Sequence, residues 1–121
     1  MRLNALCSST AAHDLDATLN LIADDAIYLF SNRTSHIGKA AIREVLIANF
    51  ESIRSEAYKI RNLQWLVISK EVAACVYEFA WSGEIDDKPA SGGGRGTSIL
   101  RCIDGDWLVV HEHLSPGPLK G

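Results

Sequence analysis

The chain has 121 residues, of which 47% are hydrophobic and 22% charged, a balance typical of one globular domain and not of a disordered segment. Its formal net charge is -3, and its 12 Lys and Arg residues are scattered along the whole chain, which argues against nucleic acid as a partner. No apolar run approaches the roughly 18 residues that a membrane helix needs, and the first residues lack a signal-peptide stretch. We therefore expect a cytoplasmic protein that makes no membrane contact.

Cysteine usage argues against a cross-linked fold. Cys7, Cys75 and Cys102 are odd in number and show no CxxC spacing. We expect reduced, mostly buried thiols and neither a disulfide framework nor a zinc site. The chain is long enough to form a core without such cross-links.

The first half of the chain predicts helices around one short strand. Asp14 is a suitable N-cap for a short helix that ends near Asp24. The β-branched and aromatic residues 26–30 predict a strand. After Gly38, apolar side chains recur at i, i+3, i+4 and i+7 over residues 42–53, which indicates an amphipathic helix.

The second half shows no helical periodicity and predicts strands joined by turns. Ser69–Glu71 and Asp104–Asp106 are short enough for tight hairpins, and Asp-Gly is a favoured hairpin pair. Helices followed by an antiparallel meander indicate an α+β fold. The predicted strands are Lys59–Ile68, Val72–Ser82, Thr97–Ile103 and Trp107–Leu114.

A glycine-rich segment, residues 86–96, separates two of these strands. Its composition predicts a flexible hairpin loop. A phosphate-binding loop is the alternative, but the segment lacks the GK[ST] ending and no helix follows it. We therefore expect a linker and not a phosphate site.

Three motifs carry a resemblance to a known family. They are ADDA before the first strand, GKAAIR at the start of the amphipathic helix, and DGDWLVVHEHLS at the last strand. Together they resemble the nuclear transport factor 2-like superfamily, and within it the SnoaL-like domain family. The resemblance implies a single domain over residues 1–121, in which a cone-shaped, curved antiparallel sheet packs against N-terminal helices, as in the cystatin-like α+β barrel. It also implies a first helix at Arg2–Ala12.

Relatives of this superfamily include enzymes of small molecules and non-catalytic association domains, so the fold alone does not decide the function. In the ketosteroid isomerases, the general-base aspartate occupies the position that Phe30 holds here. The resemblance therefore does not extend to that mechanism, although Tyr28 and Asp25 lie near this position.

The pocket residues depend on which face of each strand points inward. Resemblance to the kinase association domains implies that Glu112 and Glu78 face the pocket, where burial would raise the pKa of at least one carboxyl. They are the candidate catalytic residues, as general acid or base. A purely structural role for both, and the opposite parity of the strands, remain open. The candidate ligand-binding residues are Tyr28, Phe30, Phe50, Ser98, Leu100 and Val110.

The opposite sheet face would then be too apolar for water and is predicted to form a homodimer. Its predicted residues are Tyr77, Phe79, Trp81, Trp107, His111 and His113. Two histidines at i and i+2 lie about 7 Å apart on one face of a strand, a spacing compatible with a metal. No spacing nominates a third ligand, so we expect neither a metal nor another cofactor.

Two functional hypotheses follow. The first is a small-molecule-binding pocket protein, with the chemistry of a cofactor-independent isomerase, lyase, cyclase or hydrolase at a pocket carboxylate. The second is a non-catalytic association or accessory domain whose role is dimerisation.

Overall fold

The computed structural model of the protein describes residues 13–116. In chain order its elements are α1 (Leu15–Leu19), β1 (Ile22–Leu29), β2 (Ser35–Ile37), α2 (Lys39–Ser52), β3 (Arg54–Ile68), β4 (Val72–Ile85), β5 (Lys88–Ile103) and β6 (Asp106–Pro116). Helices thus precede a long meander, and the predicted α+β class is confirmed. The predicted helix at Arg2–Ala12 and Cys7 lie outside the described residues.

All six strands form one sheet in the order β2-β1-β6-β5-β4-β3. Strands β3 to β6 pair antiparallel with their sequence neighbours, whereas β1 lies parallel to β6. The α2 helix covers one face, which we call the inner face, and buries Ile42 and Leu46 in the same core cluster as Leu100 and Val109. The other face is called the outer face below.

The first helix has the predicted cap but ends early. Asp14 Oδ1 accepts a hydrogen bond from the Ala17 amide at 3.1 Å, and α1 ends at Leu19. The chain then enters β1 at Ile22, because the Val109 amide donates to the Leu21 carbonyl at 2.9 Å and pairs this segment with β6. Long-range pairing overrides the helical periodicity that predicted an end near Asp24.

The longer helix and the two tight hairpins lie at the positions predicted from the sequence. Gly38 precedes α2 with a φ of +86°, a conformation that favours glycine. Asp104 and Gly105, with φ values of 50° and 83°, join β5 to β6 in a two-residue turn. Ser69 closes the β3–β4 hairpin by donating its amide to the Val72 carbonyl at 2.8 Å.

The glycine-rich segment is strand and not a flexible loop, so that prediction is wrong. Only Asp86 and Asp87, with φ values of 52° and 63°, form the turn. Gly92, Gly94 and Gly96 of β5 pair with Trp81, Phe79 and Tyr77 of β4. The ring of Tyr77 lies across Gly96 so closely that a Cβ there would come within 2.5 Å of it. The strand uses glycine because large rings cross it, an arrangement also exploited in designed sheets.

A β-bulge in β6 determines which residues face inward. Leu100 pairs with Val109 but Ile99 pairs with His111, so β6 contains one extra residue, Val110, at this point. Strict alternation would put Val109 and Glu112 on opposite faces. The bulge instead lets both be buried, at 0% and 7% exposure.

Candidate functional site

A cavity of about 290 Å³ lies between α2 and the inner face of the sheet. Helix α2 contributes Val45, Leu46, Asn49 and Phe50 to its lining. The sheet side contributes both aromatic and aliphatic side chains: Phe30, Tyr58, Phe79 and Trp81, with Ile22, Ile53, Ile60 and Leu114. The ring planes of Tyr58 and Phe79 lie within 14° of each other, with centroids 6.2 Å apart. The walls therefore suit a flat, ring-containing molecule.

The inner end of the cavity is formed by Glu112 and its partners. Tyr77 donates its hydroxyl hydrogen to Glu112 Oε1 at 2.5 Å, and the Ser98 hydroxyl lies 2.9 Å from the same Tyr77 oxygen. Ser98 can therefore donate to Tyr77 while Tyr77 donates to Glu112. Within residues 13–116, the hydrogen bond from Tyr77 is the one bond of regular geometry that the Glu112 carboxyl makes, and Glu112 lines the cavity.

Burial determines the protonation of this group. Removal from water raises the pKa of the Glu112 carboxyl, while the hydrogen bond from Tyr77 and then the proximity of the Tyr28 hydroxyl act in the opposite direction. Burial and then the neighbouring Glu112 charge raise the pKa values of both tyrosines, so both hydroxyls keep their protons. The inner end thus offers a carboxyl that holds its proton above the usual pH range and two phenolic donors.

The Tyr28 hydroxyl is a buried donor at the same end of the cavity. Although it lies close enough to Glu112 to affect the pKa of that carboxyl, it makes no hydrogen bond of regular geometry with any described residue. Buried hydroxyls almost always have a partner, because burying one without a partner costs about 1–3 kcal/mol. The described residues therefore leave the Tyr28 hydroxyl available as a hydrogen-bond donor beside Glu112.

A second carboxylate, Glu56, lines the same cavity from the start of β3. Its Oε1 lies 2.8 Å from His13 Nε2, and the His13 ring stacks on Phe50 with centroids 4.5 Å apart. No pattern in the sequence indicates this pair, because His13 and Glu56 are 43 residues apart and belong to no motif.

Of the predicted ligand-binding residues, the structure places three on the cavity wall. Tyr28, Phe30 and Phe50 line it. Ser98 lies behind Tyr77, two hydrogen bonds from Glu112. Leu100 belongs to the main core and Val110 is the bulged residue, and neither lines the cavity.

The predicted pocket position of Glu78 is wrong. Tyr77 and Phe79 of β4 point inward, so Glu78 between them points to the outer face. There it accepts a hydrogen bond from Asn62 Nδ2 at 2.8 Å. Of the two candidate carboxylates, only Glu112 lies in the cavity, because the strand parity was as predicted in β6 after the bulge and reversed on β4.

Only some of the residues predicted for a dimer face lie on the outer face of the sheet. Tyr77 and Phe79 are 3% and 7% exposed inside the domain, and Trp81 lines the cavity, so these three are not on the outer face. Trp107 packs half-buried against the main core. His111 and His113 do lie on the outer face, where His111 Nδ1 is 2.8 Å from the Ile27 carbonyl oxygen.

Neither a metal centre nor a disulfide is formed by residues 13–116. No three His, Cys, Asp or Glu side chains within that range are grouped to hold a metal. Cys75 and Cys102 are free, and burial raises the pKa of the Cys75 thiol to about 11, which keeps it protonated. Within the same range, no helix has the length and apolar character needed to cross a membrane.

Solved structures share this architecture at low sequence identity. A Novosphingobium aromaticivorans protein, provisionally named as an aromatic ring hydroxylase, aligns with a TM-score of 0.87 and 20% identity, over 98% of this chain and 85% of that one. A nuclear transport factor 2-like protein of Salmonella enterica serovar Typhimurium gives 0.87 and 16%, over 98% and 88%. A Xanthomonas campestris protein, provisionally named as a calcium/calmodulin-dependent protein kinase II association domain, gives 0.84 and 15%, over 97% and 84%.

At these identities the likeness establishes the fold and not an activity. No curated protein sequence matches the chain. The SnoaL-like domain, however, matches residues 2–119, nearly the whole chain. The chain therefore belongs to the SnoaL-like domain family.

Proposed function

We propose that this protein binds a small, uncharged, ring-containing molecule through one hydrogen-bond acceptor, such as a carbonyl oxygen, that meets Tyr28 and Glu112 at the inner end of the cavity. The observation that carries the proposal is the buried Tyr28 hydroxyl, which makes no hydrogen bond of regular geometry with any residue from 13 to 116. A ligand oxygen placed there would satisfy this donor and could also accept from a protonated Glu112.

The charge and size of the cavity support an uncharged ligand. Among the described residues, no Lys or Arg lines it, so a carboxylate or phosphate would be buried without a counter-charge. Its volume of about 290 Å³ lies at the lower end of ligand pockets, which run from roughly 300 to 1,000 Å³. A ring with a few substituents therefore fits better than a fused polycycle.

The same carboxyl supports chemistry as well as binding. A buried acid with a raised pKa can donate a proton to a bound oxygen or take one from a neighbouring carbon. We accordingly propose Glu112 as the catalytic group of a cofactor-independent isomerase, lyase, cyclase or hydrolase. Tyr28 would bind the reacting oxygen beside it.

Acetophenone and ethylbenzene form a matched probe pair, since they share a ring and a two-carbon chain and differ by the carbonyl oxygen. We expect acetophenone to raise the melting temperature of the protein more than ethylbenzene, because only a ligand with an acceptor satisfies Tyr28. Tyr28→Phe should remove this difference while the folded variant still binds ethylbenzene. Equal stabilisation of the wild type by both compounds would reject the carbonyl-binding proposal.

A second function, dimerisation, is favoured by an apolar row on the outer face. Cross-strand pairing aligns one residue from each of the six strands, and we call this set the outer row: Ile37, Ile27, His111, Ile99, Ala74 and Val67. Ile37, Ile27 and Val67 are 70%, 40% and 53% exposed. We propose that a second copy of the chain covers this row, since a two-fold axis lets one apolar row pack on another.

A further inference from the structure

The cavity has a second polar end that the proposed function does not use. Glu56 lines the cavity with a side chain only 7% exposed. Its single hydrogen bond within residues 13–116 joins Oε1 to His13 Nε2, so no described side chain occupies Oε2. Oε2 is not among the buried unpartnered atoms of the described residues, so it remains accessible to a donor in the cavity.

The backbone around this pair is held in uncommon conformations. His13 and Ser55, the residue just before Glu56, have φ values of 54° and 53°, a left-handed region that few residues other than glycine adopt. The register of β3 is also irregular between Arg54 and Ala57. Gly83 of β4 allows close approach here, because a Cβ at that position would lie 2.8 Å from the Arg54 carbonyl oxygen. Such irregularities often redirect a side chain next to a functional site.

His13 fixes the direction of Glu56. Its ring lies flat on Phe50, within 7° of parallel, and points Nε2 at the carboxylate. Phe50 in turn lines the cavity from α2. Phe50 of α2, His13 and Glu56 are therefore in continuous contact along one wall of the cavity. In this arrangement His13 is a positioning residue, which holds the Glu56 side chain in place.

We propose that Glu56 is a second ligand contact, which accepts a hydrogen bond from a hydroxyl group on the ligand at the end away from Glu112. This inference rests on the proposed function, because it assumes that the same cavity holds a carbonyl at Tyr28 and Glu112. It narrows the ligand class to ring compounds that carry both a carbonyl and a hydroxyl, such as hydroxyaryl ketones. The two ends lie on β6 and β3, with β5 and β4 between them, so the two groups stand at separate positions on the ring.

The two ends of the cavity require opposite hydrogen-bonding groups on the ligand. Glu112 and Tyr28 supply protons to an acceptor, whereas a Glu56 carboxylate accepts one from a donor. Hydrogen bonds to a charged acceptor are roughly twice as strong as those between neutral groups, so the hydroxyl should contribute strongly to selectivity. A site built to receive a hydroxyl also discriminates against analogues that lack it, since its carboxylate is then desolvated without a partner.

Binding of 3- and 4-hydroxyacetophenone, each compared with the methylacetophenone of the same substitution, tests the inference. Hydroxyl and methyl are similar in size, so the comparison isolates the hydrogen bond. By isothermal titration calorimetry we expect at least one hydroxyl isomer to bind the wild type tenfold or more tightly than its methyl counterpart. Glu56→Leu should reduce this ratio to near one, and Glu56→Gln, which keeps the shape and loses the charge, should give an intermediate ratio.

Two controls separate this inference from the proposed function. Tyr28→Phe should weaken both members of each pair equally and keep the hydroxyl-to-methyl ratio, and Glu56→Gln should keep the preference for acetophenone over ethylbenzene. A ratio near one for both isomers in the wild type, with acetophenone still preferred to ethylbenzene, overturns the role of Glu56 alone. No preference for acetophenone over ethylbenzene overturns the proposed function.

Discussion

At the scale of single residues, two buried tyrosines of the site differ in one respect. Tyr77 is hydrogen-bonded to both Glu112 and Ser98, whereas the Tyr28 hydroxyl has no partner of regular geometry in the part of the chain that the structure describes. Tyr77→Phe should lower the free energy of unfolding by about 1–3 kcal/mol, because Glu112 loses its donor. Tyr28→Phe should leave the free energy of unfolding unchanged or raise it, because the substitution removes a buried hydroxyl that makes no regular hydrogen bond with the described residues.

Urea denaturation of the two variants, measured without ligand, checks this contrast. A loss of stability in Tyr28→Phe as large as that in Tyr77→Phe would mean that Tyr28 has a structural partner. In that case the Tyr28 hydroxyl would not be available to a ligand acceptor. A stabilised Tyr28→Phe with weaker acetophenone binding would instead be the exchange of stability for function that binding sites commonly show.

The raised pKa of Glu112 predicts how stability depends on pH. Below the ordinary carboxyl pKa of 4.5 both states are protonated, and the group has no effect. Above it the unfolded chain loses the proton that the folded chain keeps, so stability falls as pH rises, by up to about 1.4 kcal/mol per pH unit until the folded pKa is passed. Glu112→Gln should not show this loss.

The measurement is the free energy of unfolding of wild type and Glu112→Gln from pH 4 to pH 8. Their difference should shift in favour of the glutamine variant as pH rises. Glu78→Gln, on the outer face, reports the general effect of losing one carboxylate. A difference that moves the other way with pH would show that Glu112 is charged in the folded protein.

Which carboxylate faces the cavity could not be decided from the sequence alone. Glu112 was correctly assigned to the inner face, but only because the bulge at Val110 lies before it and leaves its direction intact. Glu78 was assigned inward by strand alternation, and the register of β4 on β5 placed it outside. The direction of the Glu56 side chain depends on the irregular register at the start of β3 and on the distant His13. Neither feature produces a recognisable pattern in the sequence around Glu56.

At the scale of elements, β5 makes the site possible. Its glycines leave room for the rings of β4, and Gly96 in particular lets Tyr77 lie across the strand and reach Glu112. Gly96→Ala should displace that ring and destabilise the protein by about 1–3 kcal/mol, because a Cβ would come within 2.5 Å of it. The same displacement should lower affinity for acetophenone.

A double-mutant cycle with Tyr77→Leu identifies the cause. With the ring removed, Gly96→Ala should cost much less, since nothing remains for the new methyl group to meet. An undiminished cost in the Tyr77→Leu background would assign the effect to the backbone of β5 and not to the ring. Denaturant midpoints of the four proteins are sufficient for the comparison.

The elements themselves were mostly predictable, and the exceptions share a physical cause. The α2 periodicity and the Asp-Gly turn are local signals, and both were confirmed. The end of α1 and the nature of residues 88–96 depend on strands that are distant in sequence. The local propensity of a glycine-rich segment favours a loop, but packing of aromatic rings from the neighbouring strand over the glycines can stabilise it as a strand.

At the scale of the whole molecule, the outer row predicts a dimer, and a charged substitution within that row should dissociate it. Ile27, which is 40% exposed, pairs on one side with Ile37 and on the other with His111. In Ile27→Asp an unpaired carboxylate would be buried at the interface, a change that typically costs several kcal/mol. We therefore expect the wild type to be a dimer by light scattering and Ile27→Asp to be a monomer with an unchanged far-ultraviolet circular dichroism spectrum.

Ile68→Asp is the matched control for this experiment. Ile68 is 61% exposed and pairs with the buried Ala73, so it belongs to the inner side of the strand end and lies outside the outer row. It should remain a dimer although it receives the same charge. Dissociation of both variants would point to general destabilisation, and a monomeric wild type would show that the outer row stays uncovered. Because the cavity lies on the other face, the Ile27→Asp monomer should still prefer acetophenone to ethylbenzene, which makes binding and assembly separable properties of one sheet.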